Sequence, residues 1–361
     1  MIYLLYSITI LFLLGIEALS KKPIFLIRWG VAVLYILLVG LRGANVGVDT
    51  AVYYNHYYTF GQFGCDYIEP GFDFLNRLCY SLGWDSWTLF TILAAMTIIP
   101  VNYTICKLER KEYTVAALLF YLTTLASLCN GMRQATVCGV FFMMAFYLSN
   151  RKLSVRSYIV YAIVIALCSL IHASAIILLF IIPLLFVSFD NRVYFIIYLL
   201  SFIVPFIDIS QYLPSISLGN RDYTRYIDDL SVVSASSLGF AFTSVLNLIV
   251  FWLMCKAFSF RRHTLIANLV FLSFVLKNIG FNYPIVGRIT MYFTWFIILI
   301  IAIIYYEEMK KPTIHSVKLY FLLLFMMYAV LCVHSYGSSA NKLTPYTTFW
   351  ENNNYSLYIK Q

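Results

Sequence analysis

The chain has 361 residues, 62% of them hydrophobic and only 11% charged, and its formal net charge is +9 at pH 7. Soluble domains carry about 45–50% apolar and about 25% charged residues, so this composition excludes a soluble protein and predicts one that spans a membrane several times. The basic residues lie in short clusters between apolar runs. That pattern orients helices in a bilayer, and it leaves no soluble domain to bind nucleic acid.

The apolar runs predict an all-α bundle of about 12 transmembrane helices, because most runs are close to the roughly 20 residues that cross a bilayer. In chain order the runs are 2–19, 24–41, 86–106, 113–129, 135–149, 157–171, 174–189, 193–208, 238–258, 264–281, 288–306 and 316–334. We expect the first run to be a retained helix, because it has no small-residue cleavage site of a signal peptide. Residues 1–361 then form a single polytopic membrane domain.

The distribution of Lys and Arg predicts the orientation of the bundle. If the first loop is cytoplasmic, alternate loops carry most of the basic residues, which places both termini outside. Two long segments, 42–85 and 209–237, then lie on the outer, periplasmic side. Within the first, the residue patterns of 49–60 and 69–82 predict two amphipathic helices along the membrane surface, with Asp49 as the N-cap of the first.

Six arginines lie near the outer helix ends, where the orientation rule predicts few positive charges. They are Arg42, Arg77, Arg133, Arg221, Arg225 and Arg288. A guanidinium group makes paired hydrogen bonds to phosphate and stays charged when partly buried, so several of them at one cavity suit a pyrophosphate. The alternative for each arginine is an ion pair with an outer carboxylate, for example Arg42 with Asp49.

Arg133 gives the sharpest of these predictions. It lies between two apolar runs with almost no loop, in the segment Cys129-Asn-Gly-Met-Arg-Gln-Ala. A charge there is costly unless it is paired or lines a water-filled cavity. A helix that begins near Met132 would also direct its free N–H groups at an anion in the same place.

Three residues of the outer side are candidates for general acid–base chemistry: His172, Asp49 and Glu69. His172 follows an apolar run, where a histidine is either a packing residue, a base or a hydrogen-bond partner of a sugar. Tyrosines of the same side provide faces for sugar rings, and we select Tyr53, Tyr57 and Tyr292. No spacing typical of a metal site occurs in the sequence, so we expect neither a metal nor another cofactor.

An ordered set of short motifs resembles the EpsG family of polysaccharide-biosynthesis membrane proteins, which overlaps the Wzy-type O-antigen and capsule polymerases. The motifs are Arg42-Gly-Ala-Asn-Val-Gly-Val-Asp49-Thr-Ala-Val-Tyr53, Glu69-Pro-Gly-Phe-Asp-Phe-Leu, Gly131-Met-Arg133-Gln-Ala, Ile171-His172-Ala-Ser-Ala, Arg288-Ile-Thr-Met-Tyr292-Phe and the tail Pro345-Tyr346…Phe349-Trp350. Together they span nearly the whole chain.

The resemblance implies a GT-C-like bundle and a substrate, an oligosaccharide repeat linked to undecaprenyl diphosphate, in the bacterial cytoplasmic membrane. It implies that the growing glycan leaves its lipid diphosphate and is transferred to a sugar hydroxyl of the next lipid-linked unit. Arg133 and Arg288 would bind the diphosphate, with contributions from Arg42, Arg221 and Arg225. It also makes a chain-length regulator a plausible partner.

Three alternatives stay open at this point. A flippase for the same lipid-linked sugar needs arginines and a wet cavity, but it should carry cations along a path across the membrane. Here the cations collect at the outer helix ends, and Lys277 is the main exception in mid-helix. An O-antigen ligase or an acyltransferase needs nearly the same residues as a polymerase. A purely structural assembly partner would not need so many outer arginines and tyrosines.

Overall fold

A computed structural model describes residues 1–149, 154–185, 188–204, 217–218, 221–222, 244–252, 264–281, 283–309, 333 and 335–351. In this part of the chain the protein is almost wholly helical. The one described sheet consists of the two-residue strands β1 (Ser217–Leu218) and β2 (Arg221–Asp222), which pair antiparallel. The predicted all-α class is therefore confirmed for these residues.

From Ile2 to Ser201 the helices follow one another along the chain with short connections. The helices of the described residues are α1 (Ile2–Leu19), α2 (Phe25–Gly40), α3 (Thr50–Phe60), α4 (Pro70–Ser81), α5 (Ser86–Ile105), α6 (Arg110–Thr123), α7 (Leu125–Asn130), α8 (Met132–Ser149), α9 (Val155–Ser169), the 3₁₀ helix η1 (Ala173–Leu185), α10 (Asn191–Ser201), α11 (Thr264–Ile279), α12 (Pro284–Thr294), α13 (Phe296–Met309) and the short 3₁₀ helix η2 (Ser339–Asn341). Residues 244–252 are also helical.

Within the described ranges, three helical spans are long and apolar enough to cross a membrane. They are Ile2–Leu19, Ser86–Ile105 and Val286–Tyr306, which combines most of α12 with the start of α13. Shorter apolar helices of 10–17 residues add to them: Phe25–Gly40, Val155–Ser169 and Thr264–Ile279. The protein is thus a membrane protein, while the number of about 12 spans stays a prediction. The predicted run 238–258 is described only at 244–252, and the run 316–334 only at residue 333.

Several predicted helices have different bounds in the structure. The run 113–129 is divided at Thr124 into α6 and α7. The Thr124 hydroxyl donates to the carbonyl of Phe120 at 2.7 Å and lies 2.9 Å from the hydroxyl of Tyr35. Such bonding of a threonine to its own helix bends the helix. The short run 135–149 extends back to Met132 and so reaches the 18 residues of α8.

Close helix packing at the centre of the bundle depends on glycine. In α8, a Cβ added at Gly139 would lie 2.3 Å from the carbonyl oxygen of Thr97 in α5. In α2, a Cβ at Gly40 would lie 2.4 Å from the hydroxyl of Thr91, also in α5. Small residues allow backbones to approach closely where no hydrophobic force acts between helices. Helix α5 therefore packs tightly against both α2 and α8.

The two ends of the bundle carry different charged groups. At one end, Arg28 near the start of α2 pairs with the fully buried Glu17 at 2.7 Å and donates to the carbonyl of Cys106 at the end of α5. At the other end, Arg42 follows α2 and Arg133 lies in the first turn of α8. We call this second end the site end.

The two predicted amphipathic helices of segment 42–85 are present as α3 and α4. Asp49 occupies the predicted N-cap position of α3, although its side chain makes no capping hydrogen bond. Helix α4 buries Phe72, Asn76 and Cys79 on one face. The position of both long segments on the outer side stays a prediction, and 209–237 is described only at 217–218 and 221–222.

We expect Gly139→Ala to destabilise the bundle by about 1–3 kcal/mol, because the new methyl group overlaps the α5 backbone. Thermal unfolding in detergent measures the effect. The matched control is Gly30→Ala, where the added Cβ meets nothing within 4 Å and the helix gains propensity. Equal unfolding temperatures for the two variants would contradict the close packing of α5 and α8.

Candidate active site

The centre of the site end is the carboxylate of Glu69, which precedes α4. Its side chain is only 4% exposed. One oxygen, Oε2, accepts a hydrogen bond from Nη1 of Arg133, and the other, Oε1, accepts from the backbone N–H of Ala173 at 3.0 Å. A buried carboxylate is stable when a cation and hydrogen-bond donors surround it, as they do here.

Glu69 meets Ala173 because the start of α4 is bonded to the end of α9. The backbone N–H groups of Gly71 and Phe72 donate to the carbonyl of Leu170, at 2.8 and 3.2 Å. A Cβ at Gly71 would lie 2.8 Å from that same oxygen, so glycine permits the approach.

His172 completes a row of three ionisable groups. Its Nδ1 atom lies 3.5 Å from Oε1 of Glu69, and its side chain is 23% exposed. Since Nδ1 faces the carboxylate, Nε2 is the nitrogen left for a ligand. Nδ1 has no hydrogen-bond partner among the described residues, so Glu69 acts on the ring through its negative charge.

Arg133 is held on three sides but keeps free donors. Besides its ion pair with Glu69, its Nε lies 3.4 Å from the hydroxyl of Tyr53, and its guanidinium lies over the ring of Phe72 at 5.1 Å. The ion pair is the alternative that the sequence left open for each outer arginine. Its Nη2 has no hydrogen-bond partner among the described residues, and the side chain is 18% exposed, so it can still bind an anion.

Asp49 and Arg288 lie close to this row. Partial burial raises the pKa of the Asp49 carboxyl above its ordinary value of 3.8, and the charges of Arg288, Arg133 and Arg42 oppose that rise in decreasing order. The side chain of Arg288 is exposed, and its backbone carbonyl accepts from Nε2 of Gln134 at 2.6 Å. This bond, which sequence reasoning missed, holds the start of α12 against the start of α8.

Arg42 differs from the other two arginines because it is fully buried. Its guanidinium donates to the carbonyl of Val39 and to the hydroxyl of Thr50, the latter at 3.0 Å, and lies over the ring of Phe90. No ion pair joins it to Asp49 in the described part of the chain. Its contacts position the segment 43–50 and leave no surface for direct contact with a diphosphate.

The three predicted sugar-binding tyrosines have different surroundings. Tyr53 contacts Arg133, as described above. The hydroxyl of Tyr292 lies 2.7 Å from that of Ser174, two residues after His172, but its ring is fully buried and offers no face to a sugar. Tyr57 is buried and donates its hydroxyl to the carbonyl of Trp84, away from Arg133.

Two predicted arginines cannot be placed at the site. Arg221 lies in β2, where only its backbone is described, and Arg225 lies outside the described residues. Among the residues described, no three His, Cys, Asp or Glu side chains form a group that could hold a metal ion.

A segment near the C-terminus holds the 42–50 loop, a role that its sequence does not reveal. Backbone bonds join Gly43 to Thr347 and Gly47 to Lys342, each at 2.8 Å. On the other side of the loop, Asn130 accepts from the backbone N–H of Val48 at 2.6 Å. Gly47 has a φ of +94°, a conformation that favours glycine.

The profile of the EpsG family matches residues 25–348, which is most of the chain. The protein belongs to the EpsG family. At the level of the family this membership indicates a Wzy-like polysaccharide polymerase in a membrane. No curated protein and no solved structure matches the chain. Arg133, Glu69, His172, Asp49 and Arg288 come from five of the six motifs that carried the resemblance.

In this EpsG-family protein, we expect Asp49→Asn to raise the unfolding temperature at pH 7.5 but not at pH 3.5. Because burial raises the pKa of Asp49, the folded state favours its protonated form, and this contribution to stability is lost as the pH rises through the raised pKa. Below the ordinary value of 3.8 the carboxyl is protonated in both states, so the substitution changes little. The control is Asp66→Asn at an exposed position. A stabilisation of equal size at both pH values would contradict the assignment to burial.

Proposed function

We propose that the protein is a membrane glycosyltransferase that polymerises lipid-linked oligosaccharide repeats, with its active site on the periplasmic side of the bacterial cytoplasmic membrane. The observation that carries the proposal is the row Arg133–Glu69–His172. It combines a cation with free donors and an imidazole beside a carboxylate within one partly exposed site. Those are the two groups that glycosyl transfer from a diphosphate requires.

The arginines act on the leaving group. The donor in this proposal is the growing glycan on undecaprenyl diphosphate, and the bond that breaks joins its anomeric carbon to the diphosphate oxygen. Negative charge then grows on the diphosphate, and the Nη2 donors of Arg133 and the exposed guanidinium of Arg288 stabilise it. Guanidinium groups provide this charge without a metal ion.

His172 acts on the acceptor. A sugar hydroxyl of the next lipid-linked repeat attacks the anomeric carbon, and its proton passes to Nε2 of His172. Glu69 faces Nδ1 at 3.5 Å and stabilises the imidazolium that results. Asp49, whose raised pKa makes it a better base than an exposed carboxylate, is the second candidate for this step. Tyr53, whose hydroxyl contacts Nε of Arg133, is the predicted tyrosine that remains a candidate for contact with the sugars.

The arrangement favours transfer over transport. The arginines and acidic groups of the site gather at one end of the bundle, where α2 ends and α8 and α12 begin. At the opposite end, Arg28 is closed off by Glu17, a carbonyl and the ring of Tyr113. A flippase needs cations along the path between these ends. We include a chain-length regulator as a possible partner of the polymerase.

We expect Arg133→Ala to abolish the long-chain ladder of surface glycan while single lipid-linked repeats persist. Removal of one charge-stabilising donor lowers a rate by about 10²–10³-fold, which is enough to stop chain growth. Gel electrophoresis of surface glycan from the native host gives the readout, with membrane insertion checked by immunoblot.

The matched control for this experiment is Arg156→Ala, an exposed arginine in the first turn of α9. It should leave the ladder unchanged. An unchanged ladder in Arg133→Ala would make Arg133 a structural partner of Glu69 and refute the proposal. Loss of all surface glycan, including single repeats, would indicate a flippase.

We also expect the effects of His172→Ala and Glu69→Gln on the polymerisation rate to be non-additive. If Glu69 acts on the acceptor through His172, then His172→Ala should lower the polymerisation rate by about 10²–10⁴-fold, and the loss in the double variant should be smaller than the product of the two single losses. The rate is measured with purified protein and lipid-linked repeats. Two losses that multiply in the double variant would show that the residues act separately.

A further inference from the structure

An open groove of about 800 Å³ runs along α4, beside the residues described above. One wall is a single face of the helix, with Asp73, Phe74, Arg77 and Ser81, and the other wall includes Gln62 from the connection after α3. The groove combines charged, hydroxyl, amide and aromatic groups.

Two polar groups of the groove lack protein partners. Oδ1 of Asp73 is buried and makes no hydrogen bond, although a native buried carboxylate oxygen normally has a donor. Arg77 is exposed, and within the described residues it has neither an ion pair nor a hydrogen bond. Arg77 therefore offers free donors to a ligand, and Asp73, which lines the groove and is partly exposed, provides a carboxylate beside them.

The groove begins next to the proposed active site. Pro70, the first residue of α4, lines it, and the preceding residue is Glu69, which holds Arg133 and His172. Helix α4 has 12 residues and is therefore about 18 Å long. A molecule that reacts beside Glu69 can thus extend along the helix without leaving the protein surface.

We propose that this groove binds the oligosaccharide part of the substrate and holds it while its terminal unit reacts. The proposal rests on the proposed function. Sugar hydroxyls donate to Asp73 and accept from Arg77, and the exposed rings of Phe74 and Tyr80 pack against the C–H faces of sugar rings. Such a mixture of aromatic walls and a few polar groups is typical of a site that orients a ligand.

The polar groups also argue against a lipid acyl chain as the occupant. An acyl chain has no hydrogen-bonding groups, so it would cover Arg77 and Asp73 without pairing them, which is unfavourable for charged groups. An oligosaccharide also displaces water from these side chains, but its hydroxyls replace the hydrogen bonds that the water made.

The test compares two neighbouring tryptophan substitutions on purified full-length protein. Ser81→Trp fills the groove, whereas Leu82→Trp places the same side chain at an exposed position that does not line it. The hydroxyl of Ser81 bonds only to the carbonyl of Leu78 in its own helix, so its loss should not unfold the protein. The probe is the host's repeat-unit oligosaccharide, released from surface glycan, and binding is followed by saturation-transfer NMR.

We expect wild type and Leu82→Trp to bind the oligosaccharide and Ser81→Trp to bind it at least 10-fold more weakly. In cells, Ser81→Trp should shorten the glycan ladder. Equal binding by the two variants, or no binding by wild type at millimolar oligosaccharide, would overturn the proposal. So would stronger quenching by brominated lipid of Ser81→Trp than of the wild type with its six native tryptophans, because the groove would then face acyl chains.

The experiments distinguish refutation of the groove proposal from refutation of the proposed function. If Arg133→Ala abolishes the ladder while Ser81→Trp has normal binding and a normal ladder, the polymerase stands and the groove is refuted. If Ser81→Trp loses binding but Arg133→Ala keeps its ladder, the groove stands as a glycan site and the transfer chemistry is refuted.

Discussion

The buried carboxylate of Glu69 is the constraint on which the site depends. A charge at 4% exposure is stable only with partners, and these come from two other parts of the chain: Arg133 from the start of α8 and the backbone of Ala173 beside His172. The bonds from Gly71 and Phe72 to Leu170 bring them within reach. Loss of the carboxylate would therefore release both the cation and the imidazole.

The protein contains two acid–arginine pairs with opposite properties. Arg28 and Glu17 are almost completely enclosed, and a carbonyl and an aromatic ring use the remaining guanidinium surface. Arg133 and Glu69 are open on one side, with an unused Nη2 and a histidine next to the carboxylate. The Arg28–Glu17 pair thus joins α1 to α2 at one end of the bundle, and the Arg133–Glu69 pair leaves room for a ligand at the other. The difference arises from the neighbouring helices and not from the pair itself.

Arg42 shows why residue type alone misassigns a role. Its position after α2, beside two glycines, predicts a phosphate ligand as readily as it does for Arg133. In the structure its guanidinium is fully buried against Val39, Thr50 and Phe90, where it holds the loop that carries Asp49. Tyr53 and Tyr57 lie one helical turn apart, but the hydroxyl of Tyr53 contacts Arg133 and that of Tyr57 contacts the carbonyl of Trp84. These different surroundings arise from the way α5 and the C-terminal segment pack around the loop.

The sequence by itself determined the membrane class, most helix positions, the two amphipathic helices and the residue types of the site. These follow from local properties, namely apolar run length, helical spacing and the cost of a charge between apolar runs. Tertiary structure alone decided which arginine keeps free donors, that Glu69 faces His172, and that residues 342–349 hold the loop at 42–50. Those contacts join segments far apart in the chain, and nothing in the local pattern of either segment specifies its partner.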